Sequence, residues 1–359
     1  MNLSLDPAAF RDLLADPDFA ENLSAAAGNP LAIVDAGDAA AGSMLAGLDI
    51  TAVPAVVVVV ARDPRALPPA AFDAADLILT DDLTAGTPFV APADGVAAAI
   101  GRIGSVLHAN PVAGTSLAML LRCSAGLGVP AALVAESATY SALQEGREFW
   151  RWRAERPVRK AEPPTEDRHQ ERVLVERAGD EVRITLARPG RRNAIDWRMR
   201  DALAAALAMA AADQRCTVVL RGLGPDFCAG GDLDEFGTRP DPAIAHLTRL
   251  TRSPARLMHV VGRRATAYLH GSCLGAGIEL SAFAGRVVAA ESTRIGVPEI
   301  QLGLVPGAGG TVSLPRRIGR WRTAYLALAG HVAGADEALR WGLVDALVPD
   351  AAPPGPVTR

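Results

Sequence analysis

The chain has 359 residues, half of them hydrophobic, and a formal net charge of -4 at pH 7. This length suits one large domain or two modest ones, and the composition excludes a mainly disordered chain. The small net charge and the lack of a long basic run exclude a typical nucleic-acid-binding protein. The four cysteines lie far apart without a CxxC pair, so we predict neither a metal site nor a disulfide framework.

The chain carries no pattern of a targeting or membrane segment. Residues 1–19 lack the basic start and the apolar stretch of a signal peptide. The longest apolar run, residues 53–61, is too short to span a bilayer and is typical of a buried strand. We therefore expect a cytoplasmic protein with no membrane contact.

Residues 1–155 form a mixed N-terminal region that we predict to be mainly helical. Its predicted elements, in chain order, are strands over 50–61 and 77–80, helices within 92–122, and a helix over 136–154. The pattern over 92–122 favours two helices rather than one. They are expected to break near Asn110, because the residue before a proline resists helical backbone angles.

Residues 156–170 are charged, rich in proline and nearly free of apolar side chains, which predicts an exposed linker. Strand and helix patterns then alternate up to about residue 350, and residues 351–359 form a proline-rich tail. The predicted elements are a hairpin over 173–186, a helix over 197–212 capped by Asp196, and strands over 217–221, 265–269 and 286–290. This alternation favours a layered α/β domain over residues 171–350.

Three glycine-rich turns follow predicted strands in this domain. They are FCAGGD at 227–232, HGSCLGAGIEL at 270–280 and VPEIQLGLVPGAGGT at 297–311. Glycine lets backbone N–H groups approach a ligand closely, and two such turns that converge on one oxygen can form an oxyanion hole. The alternative is that the three segments are ordinary tight turns.

Two carboxylates, Glu279 and Glu299, lie among apolar neighbours close to these turns. Burial of a carboxylate is costly unless the group is paired or functional. Burial also raises the pKa of a carboxyl group, which suits proton transfer near neutral pH. The alternative is that each glutamate caps backbone amides at the start of a helix.

The motifs of the second half resemble those of the crotonase, or enoyl-CoA hydratase/isomerase, family. They are RPGRRNAID, FCAGGDLDEF, HGSCLGAGIEL, GVPEIQLGLVPGAGGT and EALRWGLVDALVP, in the family's order and spacing between about Arg172 and Pro349. The resemblance implies an α/β fold, with a crotonase-like core of ββα repeats of the ClpP/crotonase type over 171–350. It also implies an acyl-CoA thioester as substrate, no cofactor, and a homo-oligomer that is a trimer or hexamer.

The resemblance implies a role for nine residues. Backbone amides of Gly231 and Ala276 would form the oxyanion hole, and Glu279 and Glu299, twenty residues apart, would be the two catalytic carboxylates of a hydratase. The positions that would line the substrate and its CoA portion are Arg192, Ala194, Ala229, Asp232 and Leu233. Arg191 could meet a CoA phosphate in place of Arg192, and the alternative for either arginine is a solvated surface charge.

The presence of both glutamates favours an enoyl-CoA hydratase, which adds water across the double bond of a 2-enoyl-CoA. The alternatives are an isomerase, another enzyme of the family such as a hydrolase or a dioxygenase, and a non-catalytic acyl-CoA-binding subunit. The fold alone does not choose between these reactions.

The family continues beyond the last of these motifs into helices that close over the acyl site. Residues 92–154 resemble that region in helical pattern and in a few residues, although they come before the core. We therefore expect this segment to fold onto the core in place of those helices. The alternative is an independent N-terminal domain that is tethered by the linker.

Overall fold

The computed structural model describes residues 2–156, 171–238 and 241–350. Nearly all of the predicted linker and the tail lie outside the described residues. The elements of the N-terminal region are, in chain order, β1 (Asn2–Leu5), α1 (Pro7–Ala15), α2 (Phe19–Asn22), β2 (Leu31–Asp35), α3 (Ala39–Met44), β3 (Val56–Val60), β4 (Leu77–Leu79), β5 (Phe89–Val90), α4 (Val96–Ala109), α5 (Pro111–Ser124), α6 (Val129–Gln144) and α7 (Arg147–Glu155).

The strands β1–β5 form a parallel sheet whose spatial order follows the chain order. Strand β3 consists of five valines, and alternate residues of a strand face opposite sides of the sheet. Val56 and Val58 pack into one hydrophobic cluster, whereas Val57 and Val59 pack into a second. Both faces of the strand are therefore buried, which accounts for its unbroken apolar run.

The helices before the linker differ from the predicted pattern in one respect. The break at Asn110 separates α4 from α5, as predicted. The single helix predicted over 136–154 is wrong, because α6 ends at Gln144 and α7 begins at Arg147. Gly146 between them adopts extended backbone angles and donates its N–H to the carbonyl of Leu143 at 2.8 Å. Glycine is a poor helix former, so the chain turns there at little cost.

The second half alternates strands and helices, as its pattern predicts. Its elements are β6 (Val173–Ala178), β7 (Glu181–Leu186), α8 (Trp197–Ala212), β8 (Thr217–Gly222), α9 (Pro242–Thr251), α10 (Pro254–Val261), β9 (Ala265–Leu269), β10 (Ser272–Leu274), α11 (Ala276–Ser281), β11 (Arg286–Ala290), β12 (Arg294–Gly296), α12 (Gly310–Leu328), β13 (Ala333–Gly334), α13 (Ala335–Trp341) and β14 (Ala346–Val348). The carboxylate of Asp196 caps α8 by accepting from the amide of Met199 at 2.7 Å, as predicted.

Two sheets organise this half. A six-stranded sheet has the order β14-β11-β9-β8-β7-β6 and is parallel except for the β6–β7 hairpin. A smaller sheet has the order β10-β12-β13. The first glycine-rich motif follows β8, the second runs through β10 into α11, and the third lies between β12 and the start of α12, so the two sheets hold all three motifs in place.

The two halves of the chain share one hydrophobic cluster. It contains side chains from the N-terminal sheet, from α4–α6 and from the second-half sheets. Helix α12 contacts α4, α5 and α6 and also reaches β4 and β5. None of the helices in the described residues is both long and apolar enough to cross a bilayer. The equivalence of residues 92–154 to the family's C-terminal helices stays a prediction.

A buried ion pair fixes α5 to the N-terminal sheet. The guanidinium of Arg122 contacts the carboxylate of Asp76 at 2.5 Å, and both side chains are at most 3% exposed. Arg122 also donates to three backbone carbonyls before β3, those of Ile50, Val53 and Ala55. Since nearly every donor of the guanidinium has an acceptor, this charge is tolerated in the interior.

Candidate active site

A cavity of about 790 Å³ lies between the N-terminal helices and the second-half core. Helix α6 lines one side with Glu136, Ser137 and Tyr140, and α9 lines another. The loops around α11 and before α12 complete the wall, and they bring Glu279 and Glu299 to the same cavity. The described part of the chain therefore builds this cavity from both of its halves.

Glu279 lies in the short helix α11, and only 1% of the residue is exposed. Its Oε2 accepts from the amides of Ala308 at 2.7 Å and Gly310 at 2.9 Å, at the start of α12. Burial raises the pKa of Glu279 to about 7, against the opposing effect of these two N–H donors. The carboxyl can therefore exchange a proton near neutral pH.

Glu299 begins a 3₁₀ helix, Glu299–Leu302, and is 8% exposed. Within the described residues, its buried Oε2 has no hydrogen-bond partner. Burial, and then the charge of Glu279, raise the pKa of Glu299 well above its usual range. A Cβ at Gly275, which has a φ of +48°, would lie 2.3 Å from Oε1 of Glu299, so this turn requires glycine.

A third carboxyl group, that of Glu136 in α6, also lies on the cavity wall. The sequence pattern did not predict a functional role for it. Its Oε1 accepts from the amide of Gly309 at 2.7 Å. Its Oε2 accepts from the amide of Thr311 at 2.9 Å and from the hydroxyl of that residue at 2.7 Å. Burial, and then the charge of Glu279, raise the pKa of Glu136 to about 8, while these donors act in the opposite direction.

Glu136 and Glu279 thus bind alternate amides of one segment, residues 308–311. Glu136 positions the loop from which Glu279 accepts its hydrogen bonds. The criterion that identified Glu279, a lone carboxylate among apolar residues of a helix, would also have found Glu136 in AALVAESATY.

The amides predicted for the oxyanion hole lie on the same cavity. Gly231 and Ala276 both line it. Within the described parts of the chain, neither amide donates a hydrogen bond to a protein acceptor. Ala276 is the first residue of α11, where a helix leaves its N–H groups without an acceptor in the helix. Two N–H groups are therefore available to a ligand oxygen in the cavity that also holds both glutamates.

Of the five positions predicted to line the substrate and CoA, only Asp232 lies on the cavity wall. Its Oδ2 accepts from Arg188 at 2.6 Å, which holds the turn after the AGGD motif. Arg192 has an αL conformation, and its guanidinium pairs with Asp226 at 2.8 Å while its side chain stays 55% exposed. The amide of Ala229 donates to the carbonyl of Arg192 at 2.9 Å.

The other two positions, Ala194 and Leu233, also lie away from the cavity wall. The carbonyl of Ala194 accepts from Arg188 at 3.1 Å, and Leu233 begins the turn after Asp232. The structure thus places all five positions in the segments that flank the cavity. Their contact with CoA stays a prediction.

The chain is similar to known proteins of one family. The model of the enoyl-CoA hydratase/isomerase family matches residues 179–352. A mevalonyl-coenzyme A hydratase of Beauveria bassiana is 36% identical over 177 residues, which are 46% of this chain and 63% of that protein. The 2,3-dehydroadipyl-CoA hydratase of Escherichia coli is 36% identical over 178 residues, which are 49% of this chain and 69% of that protein.

Among solved structures, an enoyl-CoA hydratase from Thermoplasma volcanium is similar at 36% identity, with a TM-score of 0.46. The similarity covers 50% of this chain and 73% of that one. The family model and the curated relatives show that the second half has the crotonase-type α/β fold. The chain belongs to the enoyl-CoA hydratase/isomerase, or crotonase, family. It spans 63% of the length of its fungal relative.

Proposed function

We propose that this protein is an enoyl-CoA hydratase, which adds water across the double bond of a 2-enoyl-CoA thioester. The observation that carries the proposal is the joint placement of two buried glutamates and two unbonded amides on one cavity. Several relatives are named hydratases, but their names give different acyl groups. These names therefore do not indicate which acyl group this protein binds.

The environments of the two carboxyls assign their roles in this proposal. Glu279 accepts two backbone N–H bonds, which stabilise its ionised form, so it is the base that removes a proton from water. The water oxygen then forms a bond to Cβ of the substrate. Glu299 has an unpartnered oxygen and a pKa well above its usual range, so it is protonated and donates its proton to Cα.

The amides of Gly231 and Ala276 would receive the thioester oxygen. Attack at Cβ moves negative charge onto this oxygen as an enolate, and fixed N–H donors stabilise that charge. Proton transfer from Glu299 to Cα then restores the thioester carbonyl. Before the next turnover Glu279 must lose its proton and Glu299 must regain one, either by transfer between the two carboxyls or by exchange of both with solvent.

Hydration of crotonyl-CoA tests the proposal, because the ultraviolet absorbance of its conjugated thioester disappears when water is added. We expect Glu279→Gln and Glu299→Gln each to lower kcat by about 10²–10⁴-fold, the usual contribution of a proton-transfer group. Binding of a saturated acyl-CoA should change little, because each substitution preserves shape. Glutamine cannot exchange the proton that the mechanism requires.

Mass spectrometry of the products separates the proposal from its alternatives. A hydratase yields a product that has gained one water, whereas an isomerase yields a product of unchanged mass. Wild-type rates in both glutamine variants would contradict the two-glutamate mechanism. Binding of acyl-CoA without turnover of any thioester would favour the non-catalytic subunit instead.

A further inference from the structure

An arginine of α9 lines the cavity without an acidic partner among the residues that the structure describes. Arg249 lies in the last turn of the helix and is half-buried. All its hydrogen-bond acceptors in the described residues are neutral, and they belong to Ser137, Ser141 and Gln144 of α6. Since a guanidinium stays protonated in proteins, the cavity wall carries a positive charge that no carboxylate of the described residues neutralises at contact distance.

The other arginines on the described cavity wall differ from Arg249 in this respect. Arg200 and Arg252 both line the cavity, and both form salt bridges with Asp201. Burying a charge away from water is costly without an opposite charge or a full set of hydrogen bonds. A ligand anion would supply the partner that Arg249 lacks.

The hydrogen bonds of Arg249 leave one terminal nitrogen available. Its Nε donates to the hydroxyl of Ser137 at 3.1 Å, and Nη2 donates to the carbonyl of Ser137 at 3.3 Å and to the hydroxyl of Ser141. Nη1 has a single contact within the described residues, to Oε1 of Gln144 at 3.5 Å. This distance is at the outer limit of a hydrogen bond, so Nη1 keeps its capacity to donate.

The ring of Tyr140 contacts both Arg249 and the loop that carries the donors to Glu279. The guanidinium lies over the ring of Tyr140, 4.8 Å from its centroid. That ring packs so closely on Gly307 that a Cβ there would lie 2.4 Å from it. The next amide along the chain, that of Ala308, donates to Glu279. Tyr140 therefore contacts both the guanidinium of Arg249 and the loop that binds the proton-transfer group Glu279, in the same cavity.

We propose that Arg249 binds a carboxylate at the far end of the acyl group, so that the substrates are ω-carboxyacyl-CoA thioesters. This inference rests on the proposed acyl-CoA function and adds the substrate class to it. A carboxylate matches the planar donors of a guanidinium, and a charge-assisted pair is stronger than a neutral hydrogen bond. The acidic residue of α9, Asp241, caps the opposite end of the helix. It is exposed and lies eight residues from Arg249, roughly 12 Å along the helix, so it does not pair with this arginine.

The experiment compares binding of saturated thioesters by calorimetry, so it does not depend on turnover. Glutaryl-, adipoyl- and suberyl-CoA are each paired with the monocarboxylic thioester of the same chain length. We expect the wild type to bind at least one dicarboxylic thioester about ten- to hundredfold more tightly than its partner. Arg249→Gln should reduce this ratio to near one, and Arg249→Lys should keep part of it.

Two further variants separate recognition from a structural role. Gln144→Glu places a carboxylate beside Arg249 and should erase the preference while the arginine is kept. Arg252→Gln removes a cavity arginine that already has a protein partner and should leave the ratio unchanged. Equal affinity for both members of every pair in the wild type would overturn the inference. So would an Arg249→Gln variant that binds both more weakly but keeps their ratio.

Crotonyl-CoA hydration by the wild type is measured alongside. If the wild type does not hydrate crotonyl-CoA but prefers dicarboxylic thioesters, the proposed function is contradicted and the binding inference is supported. If the wild type hydrates crotonyl-CoA but shows no preference for a dicarboxylic thioester at any chain length, the proposed function is supported and the binding inference is contradicted. The two proposals can therefore fail separately.

Discussion

Replacement of Glu136 by glutamine tests whether a carboxyl from the N-terminal region holds the candidate catalytic loop. The carboxyl accepts three donors from Gly309 and Thr311, and glutamine retains one acceptor oxygen. The hydroxyl of Thr311 can rotate, so one buried backbone N–H loses its partner. An unsatisfied buried donor costs about 1–3 kcal/mol, and we expect this decrease in the free energy of unfolding in urea.

The same substitution should alter catalysis through Glu279. Its two amide donors belong to the loop that Glu136 holds, and a displacement of about 1 Å near a reacting group can cost about 10²-fold in rate. We therefore expect kcat for crotonyl-CoA to fall by about 10–100-fold. Displacement of these amide donors should also raise the pKa of Glu279, because they stabilise its ionised form, so the acidic limb of the kcat profile should move to higher pH.

Glu148→Gln is the matched control. Glu148 accepts from the amides of Val112 at 2.7 Å and Ala113 at 2.9 Å, at the start of α5 and away from the cavity wall. Its replacement should destabilise the fold by a similar amount without changing kcat or the pH profile. If Glu136→Gln behaves in the same way, Glu136 supports only the fold and the positioning role is wrong.

Two further predictions concern stability. Arg122→Gln leaves the buried carboxylate of Asp76 without its cation, and we expect the free energy of unfolding to fall by about 3–5 kcal/mol in urea titrations; a loss below about 1 kcal/mol would contradict this. The raised pKa values of Glu136 and Glu279 mean that the folded state holds extra protons between about pH 4.5 and 8. Their contribution to stability is therefore complete below pH 4.5 and is lost as the pH rises to about 8, by about 1.4 kcal/mol per pH unit for each extra proton. Urea unfolding across this range should show a shallower decrease in Glu136→Gln than in the wild type, and equal slopes would show that Glu136 does not bind the extra proton.

Local patterns were sufficient for many elements of the fold. The break at Asn110 follows from the proline after it, and the cap at Asp196 follows from a carboxylate placed before an alanine-rich helix. Of the strands in the N-terminal sheet, β3 and β4 were predicted from their apolar runs. β5 was missed because it has only two residues, and β1 because its apolar and polar residues alternate over only four positions. β2 was missed although its apolar run is at least as long as that of β4.

The break between α6 and α7 was not predicted, because the sequence pattern indicated one helix where the structure has two. The residues on both sides are good helix formers, and the pattern favoured one helix. The chain instead turns at Gly146, and α7 then packs near the 3₁₀ helix that begins at Glu299. Gly146 permits this turn at little cost, and the contact of α7 with the 3₁₀ helix accompanies it.

The sequence by itself determined the crotonase-type core and the two candidate catalytic glutamates, because both depend on short motifs in which glycine turns and carboxylates lie close along the chain. Only the tertiary structure decided that Glu136 binds the loop before α12, since its partner Gly309 is 173 residues away. The same holds for Arg249, whose neutral partners lie more than a hundred residues earlier on α6. Contacts at such separations arise from the packing of one helix face on another, and no local periodicity records which residues that packing brings together.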